Sequence, residues 1–193
     1  MVLEVFFGEQ FYAHKPWFDH PENPNRLRLL VNSLIKYSIV SEGAFNKPEP
    51  LEDLDVLKKV HYEGYVRYVI DLCRRAPAFI DPDTYVSKGT IEAVKYSIGS
   101  CISGARRIMD WGGTVLILCR PPGHHAGRGG KAFNASSNGF CIFNNIAFSV
   151  EEVLERIGGG DRLLVLDFDV HYGNGTQEIY YRDPRVIHVD IHQ

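Results

Sequence analysis

The sequence predicts an α/β domain in which helices cover both faces of a parallel sheet, giving three layers. Three short apolar runs, at residues 114–119, 162–169 and 186–191, have the character of buried strands. Helical patterns separate them, and the order strand, helix, parallel strand is typical of this fold class. With 193 residues, 45% of them hydrophobic and 23% charged, the chain is long enough for one domain with a sizeable core.

The first half of the chain predicts one strand, several helices and their connections. Residues 2–7 predict the strand, and the Pro-, His- and aromatic-rich residues 10–25 predict an irregular loop. A helix is expected from residue 24 or 25 to about 37, with Leu27, Leu30, Leu34 and Ile35 on its buried face. The remaining predictions are a connection at 47–51, short helices at 54–60 and 62–72, a surface loop at 76–88 and a long helix at 89–111.

The second half predicts a long loop between the first two buried strands. Residues 120–138 are rich in Gly and Pro, and structureless loops of this length in compact domains are usually functional. Helices are expected at 144–157 and 176–181. Because the last buried strand, 186–191, is followed by only two residues, we expect an incomplete fold with an exposed apolar edge that favours self-association.

Composition narrows the function classes. A net charge of -3 gives no basic surface for direct nucleic-acid binding, and no apolar run approaches the length of a membrane span. The beginning of the chain lacks the basic segment of a secretory signal. We expect free, buried thiols in a reducing, cytoplasmic compartment, because the four cysteines are widely spaced: Cys73, Cys101, Cys119 and Cys141.

Three polar residues alternate directly after the short apolar run of residues 163–166. Asp167, Asp169 and His171 stand at every second position, so an extended backbone would place their side chains on one side, before glycines break the strand. Two carboxylates and an imidazole at the carboxyl end of a strand suit a divalent cation. The alternative is two turn-forming aspartates and a histidine with ordinary hydrogen bonds.

A second polar group lies in the long loop. His124 and His125 follow a Pro-Pro-Gly segment, and we expect their side chains to diverge. Adjacent imidazoles suit an acid–base pair, whereas the alternative is two exposed loop histidines. Further along, Phe140 follows Gly139 and could form the apolar wall of a channel, although composition alone favours core packing.

Three motifs in this order, RPPGHHA, NGFCIFNN and DFDVHYGNGTQE, resemble the histone deacetylase family, which includes acetoin-utilisation proteins and acetylpolyamine amidohydrolases. The segments HPENPNR, VHYEGYV and DPDTYVSKGT are also similar, so the resemblance covers essentially the whole chain. It implies an arginase-like α/β fold and a single, incomplete deacetylase-like domain over residues 1–193. It also implies hydrolysis of an acetylated amine, with acetyl-lysine in a peptide or protein, or an acetylpolyamine, as substrate.

The resemblance also implies a role for each matching residue. Asp169 and His171 match two of three ligands of a Zn²⁺ ion, for which Fe²⁺ is the alternative. His125 matches the general base and His124 its electrostatic or proton-donating partner. Asp167 matches the carboxylate that orients His124.

Further matches surround these residues. Asn174 stands behind His125, where many relatives have Asp, so the basicity of His125 is expected to be lower here. Gly139 and Phe140 match the acyl-lysine channel, Asp83 a rim residue and Arg26 an inner channel. Structural K⁺ or Na⁺ sites are implied at two sets of residues: Asp167, Asp169, His171 and Asp190, and then Tyr180, Asp183 and Val186.

The chain departs from the family pattern at two positions. The third zinc ligand, an Asp, and the Tyr that stabilises the transition state would both follow Gln193. We therefore expect weakly held zinc and a nearly inactive chain, because one lost oxyanion donor typically costs about 3–4 kcal/mol of barrier. The alternative function is a catalytically incomplete fragment, either a binding module or a truncated product. A binuclear ureohydrolase is disfavoured because it needs more carboxylate ligands, and the oligomeric state stays open.

Overall fold

The main strands run parallel in a computed structural model that describes residues 3–41 and 43–193. Strand β1 (Leu3–Phe6) lies between β2 (Phe45–Asn46) and β5 (Thr114–Ile117), and both neighbours run parallel to it. Strands β8 (Leu163–Asp167) and β9 (Val186–Asp190) form a second parallel pair. Val2, with which the first strand was predicted to begin, lies outside the described residues.

Five α-helices pack around these strands: α1 (Pro24–Lys36), α2 (Glu63–Arg74), α3 (Thr90–Trp111), α4 (Asn145–Leu154) and α5 (Asn174–Tyr180). Helix α3 packs on β5 and α4, while α4 also contacts β8 and α5 contacts β9. The larger hydrophobic cluster joins α2, α3 and α4 to β8, and the smaller one lies between β1 and α1. None of the helices in the described ranges is both long and apolar enough to cross a bilayer.

Helix α1 begins as predicted, and its buried face differs from the predicted one at Leu30. The Asn23 Oδ1 atom accepts a hydrogen bond from the Asn25 N–H (2.9 Å), and Pro24 occupies the first turn, where a missing N–H costs nothing. Leu27 and Val31 are buried, whereas Leu30 is exposed. The predicted face was therefore wrong at Leu30, because the buried stripe follows the i, i+4 spacing from Leu27 to Val31.

The predicted surface loop at residues 76–88 is instead a hairpin. Strand β3 (Ala78–Asp81) pairs antiparallel with β4 (Thr84–Val86), and Tyr85 and Val86 are fully buried. Pro82 and Asp83, which suggested a loop, form only the tight turn of this hairpin. The long loop at 120–138 contains a second hairpin, β6 (Ala126–Gly127) with β7 (Gly130–Lys131).

Smaller differences concern the ends and type of the helices. The helix predicted at 144–157 ends at Leu154, and α5 begins at Asn174, two residues earlier than predicted. The helix predicted at 54–60 is a 3₁₀ helix, Leu54–Lys59, and another, Glu9–Tyr12, enters the predicted first loop. All four cysteines are free, and three of them are buried.

Candidate metal and catalytic site

A cleft of about 850 Å³ brings most of the predicted site residues together. It lies where the chain leaves β8 and where the long loop follows β5, in agreement with the expected edge of a parallel sheet. Among the residues that line it are Arg26, Asp83, His124, His125, Gly139, Phe140, Asp169, His171 and Asn174.

The segment after β8 reaches this cleft by turns, not by continued strand alternation. The strand ends at Asp167, so the period of two does not extend to Asp169 and His171. The Asp167 Oδ1 atom accepts from the Asp169 N–H (3.1 Å), and the Asp169 Oδ1 atom accepts from the His171 N–H (2.8 Å). Asp side chains commonly form such turns, and here the turns bring the two candidate ligands together.

The geometry of Asp169 and His171 fits a tetrahedral metal ion. Two ligand atoms about 2.0–2.1 Å from such an ion are about 3.3 Å apart. The His171 Nδ1 and Asp169 Oδ1 atoms are separated by 3.3 Å. Burial opposes the charge of Asp169, but hydrogen bonds from His171 and the nearby His124 hold the pKa of this carboxyl below its usual value. Among the described residues, no third His, Cys, Asp or Glu forms a three-ligand cluster with this pair.

His124 and His125 lie side by side, so the prediction that they diverge was wrong. Their ring centroids are 4.1 Å apart and the rings are tilted by 42°. The His124 Nδ1 atom is 2.9 Å from Asp167 Oδ2, and its Nε2 atom is 3.8 Å from Asp169 Oδ1. The Asp167 carboxylate therefore lies behind the His124 ring.

His125 has a different acceptor from its neighbour. Its Nδ1 atom is 2.8 Å from the Asn174 Oδ1 atom, while the Asn174 amide group donates to the Ala132 carbonyl (3.4 Å). This arrangement assigns the proton to Nδ1 and leaves Nε2 as an acceptor. Burial and then the neighbouring His124 lower the pKa of His125, although the bond to Asn174 acts in the opposite direction.

Gly139 allows the loop before α4 to pack closely against His125. Gly139 has φ +51°, and a Cβ atom there would stand 2.5 Å from the His125 Cδ2 atom. Phe140 follows, also at positive φ, and its ring lies edge-on to His20 at 4.8 Å. Phe140 is half-buried and lines the cleft, so the core packing that composition favoured was wrong.

Asp83 stands in the turn between β3 and β4, at the rim of the cleft. Its two carboxylate oxygens accept from the Ser137 hydroxyl (2.6 Å) and the Thr84 hydroxyl (2.9 Å). Burial raises the pKa of Asp83, but these hydrogen bonds outweigh it and hold the pKa below its usual value. Asp83 is therefore a charged acceptor, while Arg26 is exposed and lines the same cleft.

The first predicted monovalent site coincides in part with a cluster of Asp167, His188 and Asp190, whose ligand atoms all lie within 4.8 Å of one another. The Gly173 N–H donates to Asp190 Oδ2 (2.7 Å). Two neighbouring carboxylates suit a cation, so Asp167 and Asp190 fit this role. The side chains of Asp169 and His171 are not part of the cluster. Sequence reasoning missed His188, which the two-residue spacing to Asp190 on one strand could have revealed.

At the second predicted monovalent site, the polar side chains already have partners. The Asp183 carboxylate pairs with Arg185 (2.6 Å), and the Tyr180 hydroxyl donates to the Ala147 carbonyl (2.9 Å). The Asp183 carbonyl accepts from the Val186 N–H (3.1 Å). Only backbone oxygens of this turn could therefore hold a cation.

A buried ion pair supports the histidine loop, and sequence reasoning missed it. Arg120 donates to both carboxylate oxygens of Glu22, at 2.6 Å each, and also to the Phe11 carbonyl (3.0 Å). Burial opposes the charge of Glu22, but Arg120 holds the pKa of its carboxyl below the usual value. A charged residue directly after an apolar strand was the available signal, because buried charges need partners.

Comparisons with known proteins agree with this geometry. The family model of the histone deacetylase domain matches residues 20–193. A probable deacetylase of Archaeoglobus fulgidus is 32% identical over 100% of this chain and 52% of its own length, and that of Methanothermobacter thermautotrophicus is 35% identical over 93% and 53%. The crystal structure of the HDA15 HD domain has a TM-score of 0.86 at 29% identity, covering 98% of this chain and 53% of that one. The predicted fold class is confirmed, and the chain spans about half the length of these relatives.

Proposed function

Since this chain belongs to the histone deacetylase family, we propose that its cleft serves the metal-dependent hydrolysis of an acetylated amine. One observation carries the proposal: two histidines, each with its own acceptor, lie side by side next to Asp169 and His171. The substrate is an acetylated lysine in a peptide or protein, or an acetylated polyamine. We propose Zn²⁺ as the ion at Asp169 and His171, with Fe²⁺ as the alternative, because both accept carboxylate and imidazole ligands.

The two histidines divide the proton transfers. When bound, the metal ion polarises the acetyl carbonyl and lowers the pKa of a water molecule. The Nε2 atom of His125 accepts the proton from that water, because its Nδ1–H is held by Asn174. His124, whose Nδ1–H is held by Asp167, donates a proton from Nε2 to the departing amine. Asp167 stabilises the positive charge that His124 carries before this step.

Two further groups position the substrate. Phe140, with Gly139 before it, gives an apolar wall for the methylene stem of the acylated amine. The charged Asp83 at the rim accepts hydrogen bonds from the substrate outside the channel. We also propose K⁺ or Na⁺ near Asp167 and Asp190, where a cation offsets two neighbouring carboxylates.

A direct assay tests the proposal. The chain is stripped of metal with a chelator, then supplied with Zn²⁺ or Fe²⁺ and offered a fluorogenic acetyl-lysine peptide and an acetylpolyamine. We expect hydrolysis that depends on added metal and disappears in His125→Ala. Because only Asp169 and His171 serve as metal ligands in the sequence match, we expect this rate to be low. Metal-independent hydrolysis, or hydrolysis that His125→Ala leaves unchanged, would contradict the proposed function.

The second candidate is a module that binds acetylated ligands without turning them over. It is favoured by the observation that, among the described residues, Asp169 and His171 belong to no three-ligand cluster. Calorimetry with an acetylated and an unmodified peptide separates the two candidates. Binding that prefers the acetylated peptide, with no hydrolysis at saturating metal, would favour the module.

A further inference from the structure

We infer that Trp17, Phe18 and Phe79 form an aromatic shelf beside the cleft, and that this shelf selects peptides with a large apolar side chain close to the acetylated lysine. The inference rests on the proposed function and narrows its substrate class to peptides. It assigns a specificity role to residues that lie outside the catalytic site.

The three rings of the shelf pack together yet stay open to solvent. Trp17 is 48% exposed, Phe79 44% and Phe18 38%. Their centroids lie 5.0 Å (Trp17 to Phe18), 5.3 Å (Trp17 to Phe79) and 5.5 Å (Phe18 to Phe79) apart. Three large aromatic side chains that stay half exposed in one cluster lose part of the stabilising free energy of full burial. Exposed apolar clusters of this kind mark interaction sites.

The shelf is held in place from below. Trp17 and Phe18 both lie edge-on to Tyr85, at 6.2 and 6.1 Å, and Tyr85 is fully buried. The Tyr85 hydroxyl donates to the buried Glu22 carboxylate (3.0 Å). Phe79 stands on β3, opposite Tyr85 in the hairpin. Rings fixed in this way lose little freedom when a ligand covers them, which favours binding.

His20 connects the shelf to the cleft. The Phe18 ring lies 5.4 Å from the His20 ring, which lies 4.8 Å from the channel wall Phe140. The Nδ1 atom of His20 accepts from the Glu22 N–H, so its Nε2–H donates to the Asp83 carbonyl (3.2 Å). An extended peptide advances about 3.3 Å per residue. The two ring-to-ring distances from Phe18 through His20 to Phe140 are therefore spanned by about three peptide residues. The selected side chain accordingly lies within three positions of the acetylated lysine.

The orientation of the rings favours an apolar occupant over a cationic one. Cations bind to the faces of aromatic rings, whereas ring edges carry the positive end of the quadrupole. Within the shelf the rings meet at 47–68°, so neighbouring rings cover part of the faces. The surface that remains suits Phe, Leu or Met in a peptide better than the ammonium groups of a polyamine.

The two tryptophans of the chain allow a direct binding test. Trp111 is exposed at the end of α3, so Trp111→Phe leaves Trp17 as the single indole reporter. Short acetyl-lysine peptides with Phe, or with Ser, within three positions of the acetylated lysine are titrated into this variant. We expect the Phe peptide to bind at least tenfold more tightly and to shift the Trp17 emission to shorter wavelength. Equal affinities for the Phe and Ser peptides would overturn the inference.

A pair of variants locates the effect. Phe79→Thr keeps a residue that favours strands and should remove the tenfold preference, whereas Tyr181→Thr, at an exposed aromatic residue after α5, should retain it. Circular dichroism and thermal midpoints check that each variant folds. If a variant does not fold, the titration of Trp111→Phe with the Phe and Ser peptides still tests the inference. A preference that survives in folded Phe79→Thr, or an acetylpolyamine that produces the same Trp17 shift as the Phe peptide, would also overturn the inference.

Peptides with unmodified lysine separate this inference from the proposed function. A preference for Phe with no preference for the acetyl group supports the shelf and contradicts the proposed function. A preference for the acetyl group with none for Phe supports the proposed function and contradicts the shelf.

Discussion

His61 shows how a single buried residue holds its charge state. Its Nδ1–H donates to the Gly127 carbonyl (2.8 Å), and its Nε2 atom accepts from the Asn144 N–H (3.0 Å). Both ring nitrogens are therefore satisfied only in the neutral form. Burial lowers the pKa of His61 to about 4 and that of the buried His14 to about 3. Neither residue belongs to the candidate site, but His61 joins the long loop at Gly127 to the segment before α4 at Asn144.

We predict that these two histidines make the fold sensitive to mild acid. In the unfolded chain they bind protons below about pH 6.5, whereas in the folded protein they stay neutral until about pH 4 and 3. Their stabilisation is therefore complete above pH 6.5 and falls as the pH decreases, by about 2 kcal/mol each at pH 5. Urea unfolding at pH 7.5 and 5.0 measures the loss, and His61→Gln should reduce it. An equal loss in wild type and His61→Gln would refute the role of His61.

Substitution of His125 should separate the base from the metal. His125→Ala is expected to lower turnover about 100- to 10,000-fold while the metal content stays the same, because in the proposed function His125 accepts a proton and does not bind the ion. Single-turnover assays together with elemental analysis measure both quantities. If metal content fell in proportion to activity, His125 would be a ligand and the assignment would be wrong.

Asp167, the last residue of β8, should behave differently from Asp169, which lies two residues further along the chain. Its Oδ2 atom faces His124, so Asp167→Asn is expected to lower turnover about 10- to 100-fold by disturbing the charge and tautomer of that ring. Under the proposed function, Asp167→Asn should still bind added Zn²⁺, whereas Asp169→Asn should not. Zinc loss in Asp167→Asn would identify Asp167 as a zinc ligand instead.

At the scale of elements, short loops with special backbone geometry place the site. Gly139 presses the loop before α4 against His125, and two Asp turns carry the chain from β8 to His171. None of the residues proposed to react or to hold the ion lies in α4. Helix α5 contributes only its first residue, Asn174, which supports His125. The position of His125 therefore depends on the fit of a loop that has no repeating hydrogen bonds.

We predict that Gly139→Ala damages this fit. The added Cβ atom would stand 2.5 Å from the His125 ring at a positive φ, so the loop or the ring must move, at a cost of about 1–3 kcal/mol. The thermal midpoint and the turnover should both fall. Gly64→Ala in α2, where a Cβ atom meets nothing within 4 Å, is the matched control and should stabilise the fold by about 0.5–1 kcal/mol. An unchanged midpoint in Gly139→Ala would show that the loop adapts freely.

The elements differ in how well the sequence predicts them. Helix α3 is readable because its apolar residues recur over many turns and a glycine with positive φ, Gly112, ends it. The β3–β4 hairpin cannot be predicted from the sequence pattern, because its strands are only four and three residues long and its turn residues dominate the pattern. The histidine pair is found by its motif, but its side-by-side arrangement depends on Asp167 and Asn174, which lie more than forty residues away.

At the scale of the whole molecule, one face of the β8–β9 pair is apolar and open. Leu164 and Leu166 on β8 and Ile187 and Val189 on β9 point to this face and are all more than 40% exposed. The alternation that buries Val165 on the other side of β8 necessarily brings these residues to the open side. Contiguous apolar patches of this kind mark interaction surfaces or lead to aggregation.

We predict that the 193-residue chain self-associates through this face. Size-exclusion chromatography with light scattering should show a mass that rises with concentration. Leu166→Thr combined with Val189→Thr keeps the strand propensity and should restore the monomer. Leu29→Thr, at an exposed leucine on α1, is the control and should change nothing. A monomeric wild type at all concentrations would contradict the prediction.

The turns after β8 have a consequence for how such a site can evolve. An Asn side chain forms the same turn as Asp but carries no charge, and one nucleotide change converts an Asp codon into an Asn codon. The hydrogen bond from the His171 N–H to residue 169 would survive that change, and the loop would keep its shape. Under the proposed function, this single step removes a ligand of the ion while the cleft stays in place. Under the proposed function, variants that bind the ligand without hydrolysing it therefore differ from this sequence by one mutational step.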